Sequence, residues 1–244
     1  MEKIIGNYVL AFIDVLGQQT ALKKIKQLPT DENEKSQFIE SLRQTYGVIE
    51  NLKNDFIKNY SAYNKAHDFY SSLRVTLQPE VKFCRFSDSL IIYHSIMSLE
   101  NKLPILGIYS LLASCGHLLL ISVARQYTIR GGIDLGIGME ISEKDFYGPV
   151  LACAHNLEKI SLHPRILIGR SLYDFIELNS KLPDSSNLLN STKKIAQICL
   201  EIISKDNFDG NYIIDYLGEG FNKYIWKDYK RDEMLSRNYI LFLK

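Results

Sequence analysis

The chain has 244 residues, 46% hydrophobic and 23% charged, enough apolar material for one sizeable core and too much for a disordered, collagenous or disulfide-dense chain. Twenty-nine Lys and Arg balance 28 Asp and Glu for a formal charge of +1, so no bulk field draws nucleic acid or an anionic membrane nonspecifically. Cys84, Cys115, Cys153 and Cys199 form no CxxC pair and sit in apolar or helix-like stretches, the pattern of buried free thiols in a reducing, cytoplasmic compartment.

In chain order, residues 7–16 (NYVLAFIDVL) are an apolar run rich in β-branched and aromatic residues, ended by Gly17, and read as a central strand. Asp14 interrupts the run and no small-residue cleavage site follows, so a signal peptide is not predicted there. From Asp31 a helical pattern takes over: Phe38, Leu42, Tyr46, Ile49, Leu52 and on to Tyr63 recur at steps of four and three, which defines a long amphipathic helix. Two short apolar runs, 81–86 and 90–93, flank Ser87-Asp88-Ser89 and predict a hairpin.

Residues 103–124 carry no Lys, Arg, Asp or Glu and are about long enough to span a bilayer. Pro104, Gly107, Ser110, Ser114, His117 and Ser122 lie inside the stretch, and a span would separate the motifs on either side of it, so a buried core or interface helix is predicted, with His117 a hydrogen-bonded core residue. After it come an alternating, glycine-bearing strand at 127–141, a helix from Gly148-Pro149 to about Ser161, a strand at 166–169 and a short helix at 171–178. A polar loop at 180–191, a helix near 192–204 and a strand at 212–216 complete the pattern. The order β-α-β-β-α-β predicts a ferredoxin-like α/β (α+β) fold. We read one domain across 1–244, its core at about 5–180 and C-terminal additions at about 181–244.

A carboxylate inside a strand that is apolar on both sides is costly unless it is paired or bound to a cation. Asp14 is such a residue, and Asp88 lies at the hairpin tip in RFSDSL. In a βαββαβ sheet the first strand and the hairpin are central neighbours, so the two carboxylates can converge as a hard-oxygen site for Mg²⁺ or Mn²⁺. No His/Cys spacing argues for zinc. The backbone N–H groups of Val15, Leu16, Gly17 and Gln18 are expected to form an anion cradle beside it. The plainer alternative makes Asp14 a helix cap and Asp88 a turn residue.

AFIDVLG, FSDSLIIY and RGGIDLGIGMEISEKDFYGPVLACAHNLEKISLHPRILIG resemble the class III nucleotidyl cyclases, and within them the bacterial pyrimidine cyclases of the Pycsar anti-phage system. The resemblance implies a homodimer that converts UTP, in preference to CTP, to the 3′,5′-cyclic monophosphate and pyrophosphate, a messenger read by a separate effector. It implies two divalent ions held by Asp14, Asp88 and the Ile13 backbone, with the Ile13–Gly17 backbone on the phosphates; Gln18, Arg85 and Ser87 are further candidate substrate contacts and Arg130 a candidate catalytic charge, read from the residues themselves. Neither nucleic acid nor membrane is an expected partner.

The chain departs from the purine cyclases where their helix carries an Asn and, four residues on, an Arg: here these positions are Ala152 and Asn156. Arg130, Arg165 and Arg85 are the candidates for the missing charge, and Tyr93 and Tyr147 for stacking on a base. The departure keeps open a catalytically silent module that binds nucleotide or only dimerises. A palm-type polymerase or diguanylate cyclase is disfavoured, because the hairpin reads FSDS and no basic face is present. The apolar stripe at 38–63 and the helix at 103–124 offer more apolar surface than one sheet face covers, a further reason to expect a homodimer.

Overall fold

The computed structural model describes residues 4–17, 28–65, 79–97, 103–142 and 145–226. Its centre is β1 (Ile4–Val15), whose side chains alternate between two apolar clusters: Val9, Ala11, Ile13 and Val15 on one face, Tyr8, Leu10 and Phe12 on the other. Burial on both faces removes the usual polar alternation, which is why the strand reads as one apolar run. The hairpin β2 (Lys82–Phe86) and β3 (Ser89–Ser95) flanks β1 on one side, and β4 (Ile129–Ser142) flanks it on the other, all antiparallel.

The sheet order is β2-β3-β1-β4-β6-β8-β7, with β5 (Asp145–Tyr147) paired to β4. The first four strands in this order, with the two helices that connect them, are the ferredoxin-like βαββαβ unit. Beyond it β6 (Ile166–Ile168) runs parallel to β4, and β8 (Tyr212–Ile214) and β7 (Ile203–Lys205) add antiparallel strands. The predicted C-terminal additions therefore extend the same sheet.

Helices α1 (Glu32–Lys65) and α2 (Pro104–Ala124) pack together on one face. On α1 the predicted stripe is buried from Ile49 through Leu52, Phe56 and Tyr60 to Tyr63, whereas Leu42 and Tyr46 are exposed, so only its second half lies on the core. By length and composition α2 could cross a membrane, but every residue from Ile105 to Ser122 is buried within the fold. His117 is a hydrogen-bonded core residue as expected, its Nδ1 lying 2.7 Å from the Tyr63 hydroxyl. Burial holds its pKa down at about 4, so it is neutral at physiological pH.

Helix α3 (Pro149–Ile160) lies on the opposite face, against β4 and β1. It approaches closely because Gly132 has no side chain: a Cβ there would sit 2.3 Å from the Ala154 carbonyl. Helices α4 (Arg170–Ser180) and α5 (Asn187–Glu201) pack on each other, and α5 also packs on α2.

Three expectations are corrected. The polar loop at 180–191 is shorter, because Ser186 caps α5 by accepting from the Leu189 N–H at 3.2 Å and the helix begins at Asn187. The helix expected to reach 204 ends at Glu201, and Ile203 and Ser204 pair with β8. Cys153 is exposed on α3, while Cys84, Cys115 and Cys199 are buried.

Candidate active site

Asp14 points to the same face of β1 as Phe12, away from α1 and α2, and stands opposite Ser89 of β3 and Arg130 of β4. The Ser89 hydroxyl donates to Asp14 Oδ1 at 3.1 Å. Asp88 occupies the hairpin turn beside Ser87, whose φ of 54° is left-handed, the arrangement a tight two-residue hairpin asks of its first loop position. The Val15 N–H donates to the Asp88 carbonyl at 3.2 Å, which ties the tip to the end of β1.

The hairpin tip thus lies beside the end of β1, with Asp88 near enough for its charge to act on Asp14. Burial raises the Asp14 pKa to about 6. The Ser89 hydrogen bond opposes that rise, the neighbouring charges of Asp88 and Glu158 add to it, and Arg130 counters it. A carboxylate in this state lacks enough positive charge around it.

Arg130 reaches both sides: its Nη2 lies 3.7 Å from Asp14 Oδ2 and its Nε 2.5 Å from Glu158 Oε1. Glu158 is buried on α3 and was absent from the sequence expectations. The signal for it was there: Val150, Ala154 and Glu158 are spaced by four along α3 and form its buried stripe, and a carboxylate on such a stripe needs a buried partner.

Other expectations meet a different geometry. The Val15 N–H is spent on Asp88 and the Leu16 N–H donates to the Thr128 carbonyl at 2.9 Å, so neither is available to an anion cradle. Gly17, with φ of 87°, turns the chain there, and Gln18 lies outside the described residues. Ile13 sits within the ladder between Leu90 and Gly131, its side chain in the core on the opposite face of β1 from Asp14.

Ser87 is exposed at the tip. Arg85 is engaged by Glu50 and, at 2.8 Å, by the Tyr46 hydroxyl of α1, away from Asp14. Arg165 is buried between Asp206 and Asp209. Of the three arginines weighed for the missing charge, Arg130 is the one beside the carboxylates. Tyr93 is buried, and Tyr147 is exposed.

An open cleft of about 750 Å³ lies between the hairpin, β5 and the first half of α3, lined by Phe12, Cys84, Arg85, Ile91, Tyr147, Ala152 and His155 among others; Asp14 and Asp88 are not part of its lining. Its walls are mostly apolar and its size suits an organic ligand. Ala152 and Asn156 are exposed on α3, and neither carries a charge.

Among the described residues no group of three or more His, Cys, Asp and Glu is disposed to hold a metal ion. The donor chemistry nevertheless fits a hard divalent cation: Asp14 feels more negative charge, from Asp88 and Glu158, than Arg130 balances, and Mg²⁺ or Mn²⁺ takes its remaining ligands from water and phosphate.

The fold and these carboxylates define a ferredoxin-like α/β protein with an acidic site at the end of its central strands. No family model matches the chain, and no curated protein matches it. Among solved structures it is similar to the monomeric guanylyl cyclase domain of the RhoGC fusion protein from the aquatic fungus Blastocladiella emersonii, with 10% identity over 87% of this chain and 96% of that chain and a TM-score of 0.46. It is also similar to a class III adenylyl cyclase-like ATP-binding protein from Pseudomonas aeruginosa, with 12% identity over 98% of this chain and 45% of that chain and a TM-score of 0.45. A third is the catalytic core of a rhodopsin-guanylyl cyclase with converted specificity in complex with ATPαS, at 12% identity over 87% and 98% of the two chains and a TM-score of 0.41.

Proposed function

We propose that this protein is a class III-type nucleotidyl cyclase whose substrate is a pyrimidine nucleoside triphosphate, UTP in preference to CTP. The observation that carries the reading is the proximity of Asp14, at the end of β1, to Asp88, in the hairpin turn tied to it by the Val15 N–H, within the segments that resemble the pyrimidine cyclases. In this reading Asp14 and Asp88 hold the divalent ions, and the Ser89 hydroxyl fixes the orientation of Asp14. When bound, such ions lower the pKa of the ribose 3′-hydroxyl and neutralise the leaving pyrophosphate. Arg130, 3.7 Å from Asp14, would supply the positive charge toward the triphosphate that Ala152 and Asn156 do not.

The cleft lined by Phe12, Cys84 and Ile91 receives the base, and its open side is closed by a second copy of the chain in a homodimer. Its mostly apolar walls suit a nucleobase, and the choice of a pyrimidine over a purine rests on the resemblance. The cyclic product then serves as the messenger to a separate effector in anti-phage defence, as the resemblance implies.

A second reading, a catalytically silent module, is favoured by the neutral pair Ala152 and Asn156 on the exposed face of α3. One experiment separates them: incubation with each of the four ribonucleoside triphosphates and Mn²⁺, with products resolved by chromatography. The pyrimidine reading expects cyclic UMP or cyclic CMP as the main product. Equal or faster turnover of ATP or GTP overturns the base preference, and no product from any of the four overturns cyclase activity. A fully active monomer by light scattering overturns the dimer.

A further inference from the structure

We infer that Glu158 is a positioning residue that holds Arg130 as a built-in counter-charge to Asp14, so that the Arg130 guanidinium and a divalent cation compete for the same carboxylate. The inference rests on the proposed cation-binding role of Asp14. Arg130 spans two carboxylates with different nitrogens, Nε to Glu158 at 2.5 Å and Nη2 to Asp14 at 3.7 Å. The two ends are not equivalent. The Glu158 side chain is 4% exposed, against 15% for Asp14 and 29% for Arg130.

Glu158 is also fixed in place, since α3 lies directly on β4 at Gly132, where the Glu158 backbone nitrogen would be 3.0 Å from an added Cβ. A buried carboxylate keeps its partner firmly, because separation leaves it without compensation. The longer, more exposed contact to Asp14 is the one that yields. Arg130 thus releases Asp14 with Nη2 while Glu158 retains Nε, and the freed end of the guanidinium stays beside the carboxylates, where a triphosphate oxygen can take it up.

The test is Mn²⁺ binding without nucleotide, read from the electron paramagnetic resonance signal of free Mn²⁺, with folding checked by circular dichroism. Arg130→Gln removes the competing charge and tightens binding about tenfold. Glu158→Gln leaves Arg130 with Asp14 as its remaining anion and weakens binding about tenfold. In the double variant the Glu158→Gln effect disappears and affinity returns to that of Arg130→Gln alone, because Glu158 acts through Arg130.

A merely structural Glu158 would instead leave its effect on affinity intact in the double variant, and that result overturns the inference. So does unchanged Mn²⁺ affinity in Arg130→Gln, which decides the matter if Glu158→Gln does not fold, and so does a wild-type chain that binds no Mn²⁺. Mn²⁺ binding with this dependence in a chain that cyclises no nucleotide keeps the inference and sinks the catalytic reading.

Discussion

Ser89 stands directly across the β1–β3 ladder from Asp14 and donates its hydroxyl to the carboxylate at 3.1 Å. The bond engages Oδ1 and leaves Oδ2 to Arg130, and it partly offsets the rise in pKa that burial imposes. Asp14→Asn and Asp88→Asn are each expected to lower cyclic nucleotide formation at least about a hundredfold, because each removes an anionic oxygen needed to hold a cation. Ser89→Ala leaves both carboxylates in place and is expected to cost about tenfold at most. Initial rates at saturating Mn²⁺ check the ranking, and a Ser89→Ala enzyme slower than Asp14→Asn contradicts it.

Gly132 sets the distance between α3 and the sheet. A methyl group there meets the Ala154 carbonyl at 2.3 Å and the Leu157 Cβ at 2.4 Å, and backbone on a packed helix cannot give way cheaply. Gly132→Ala is expected to destabilise the fold by about 2 kcal/mol or more and to move Glu158 off Arg130. Urea denaturation measures the first effect. A variant as stable and as active as wild type would show that α3 is free to shift.

The legible part of this chain was the part governed by local chemistry. Alternating or continuous apolar runs marked β1, β3 and β4, and the placement of Asp14 and Asp88 at the ends of neighbouring strands followed from the order of elements. Three-residue strands such as β5 and β7 have too few positions to show a period. Arg85 illustrates a different limit: a strand residue alternates faces, and whether the face it takes carries a helix with Glu50 and Tyr46 is a tertiary fact. The cradle expected at Val15 and Leu16 failed for a related reason, since the partners of their N–H groups, Asp88 and Thr128, come from distant parts of the chain. Glu158 was readable as a charge on a buried stripe, but its partner Arg130 lies on another element.

The additions beyond β6 are pinned by Arg165, whose side chain is 7% exposed and reaches Asp206 and Asp209 in the turn between β7 and β8. Asp206 and Asp209 also accept from the backbone N–H groups of Phe208 and Asn211, so one guanidinium organises the whole turn. Its loss leaves two carboxylates repelling each other at the edge of the sheet. Arg165→Ala is expected to destabilise the fold, measured as a lower urea midpoint. Asp14 lies on β1 and Asp88 in the hairpin turn, away from this edge of the sheet, so turnover per folded molecule stays near wild type.

The raised pKa of Asp14 makes the site a source of instability at neutral pH. Because its pKa in the fold is about 6 against an ordinary value of 3.8, the folded chain holds a proton between these values that the unfolded chain has lost. Folding stability therefore falls as pH rises through that window, and the loss is complete above it. Asp14→Asn removes the titrating group, so in metal-free buffer the variant is expected to melt higher than wild type at pH 7 and to match it below about pH 4. Divalent cation reverses the order: Mn²⁺ compensates the ionised Asp14 and raises the melting temperature of wild type, while the Asn variant gains less. Thermal melts at pH 4 and pH 7, with and without Mn²⁺, test both halves. A variant that melts below wild type at pH 7 without metal would mean that the charge of Asp14 is already balanced by Arg130, and that the carboxylates are a structural ion pair with no deficit for a cation to fill.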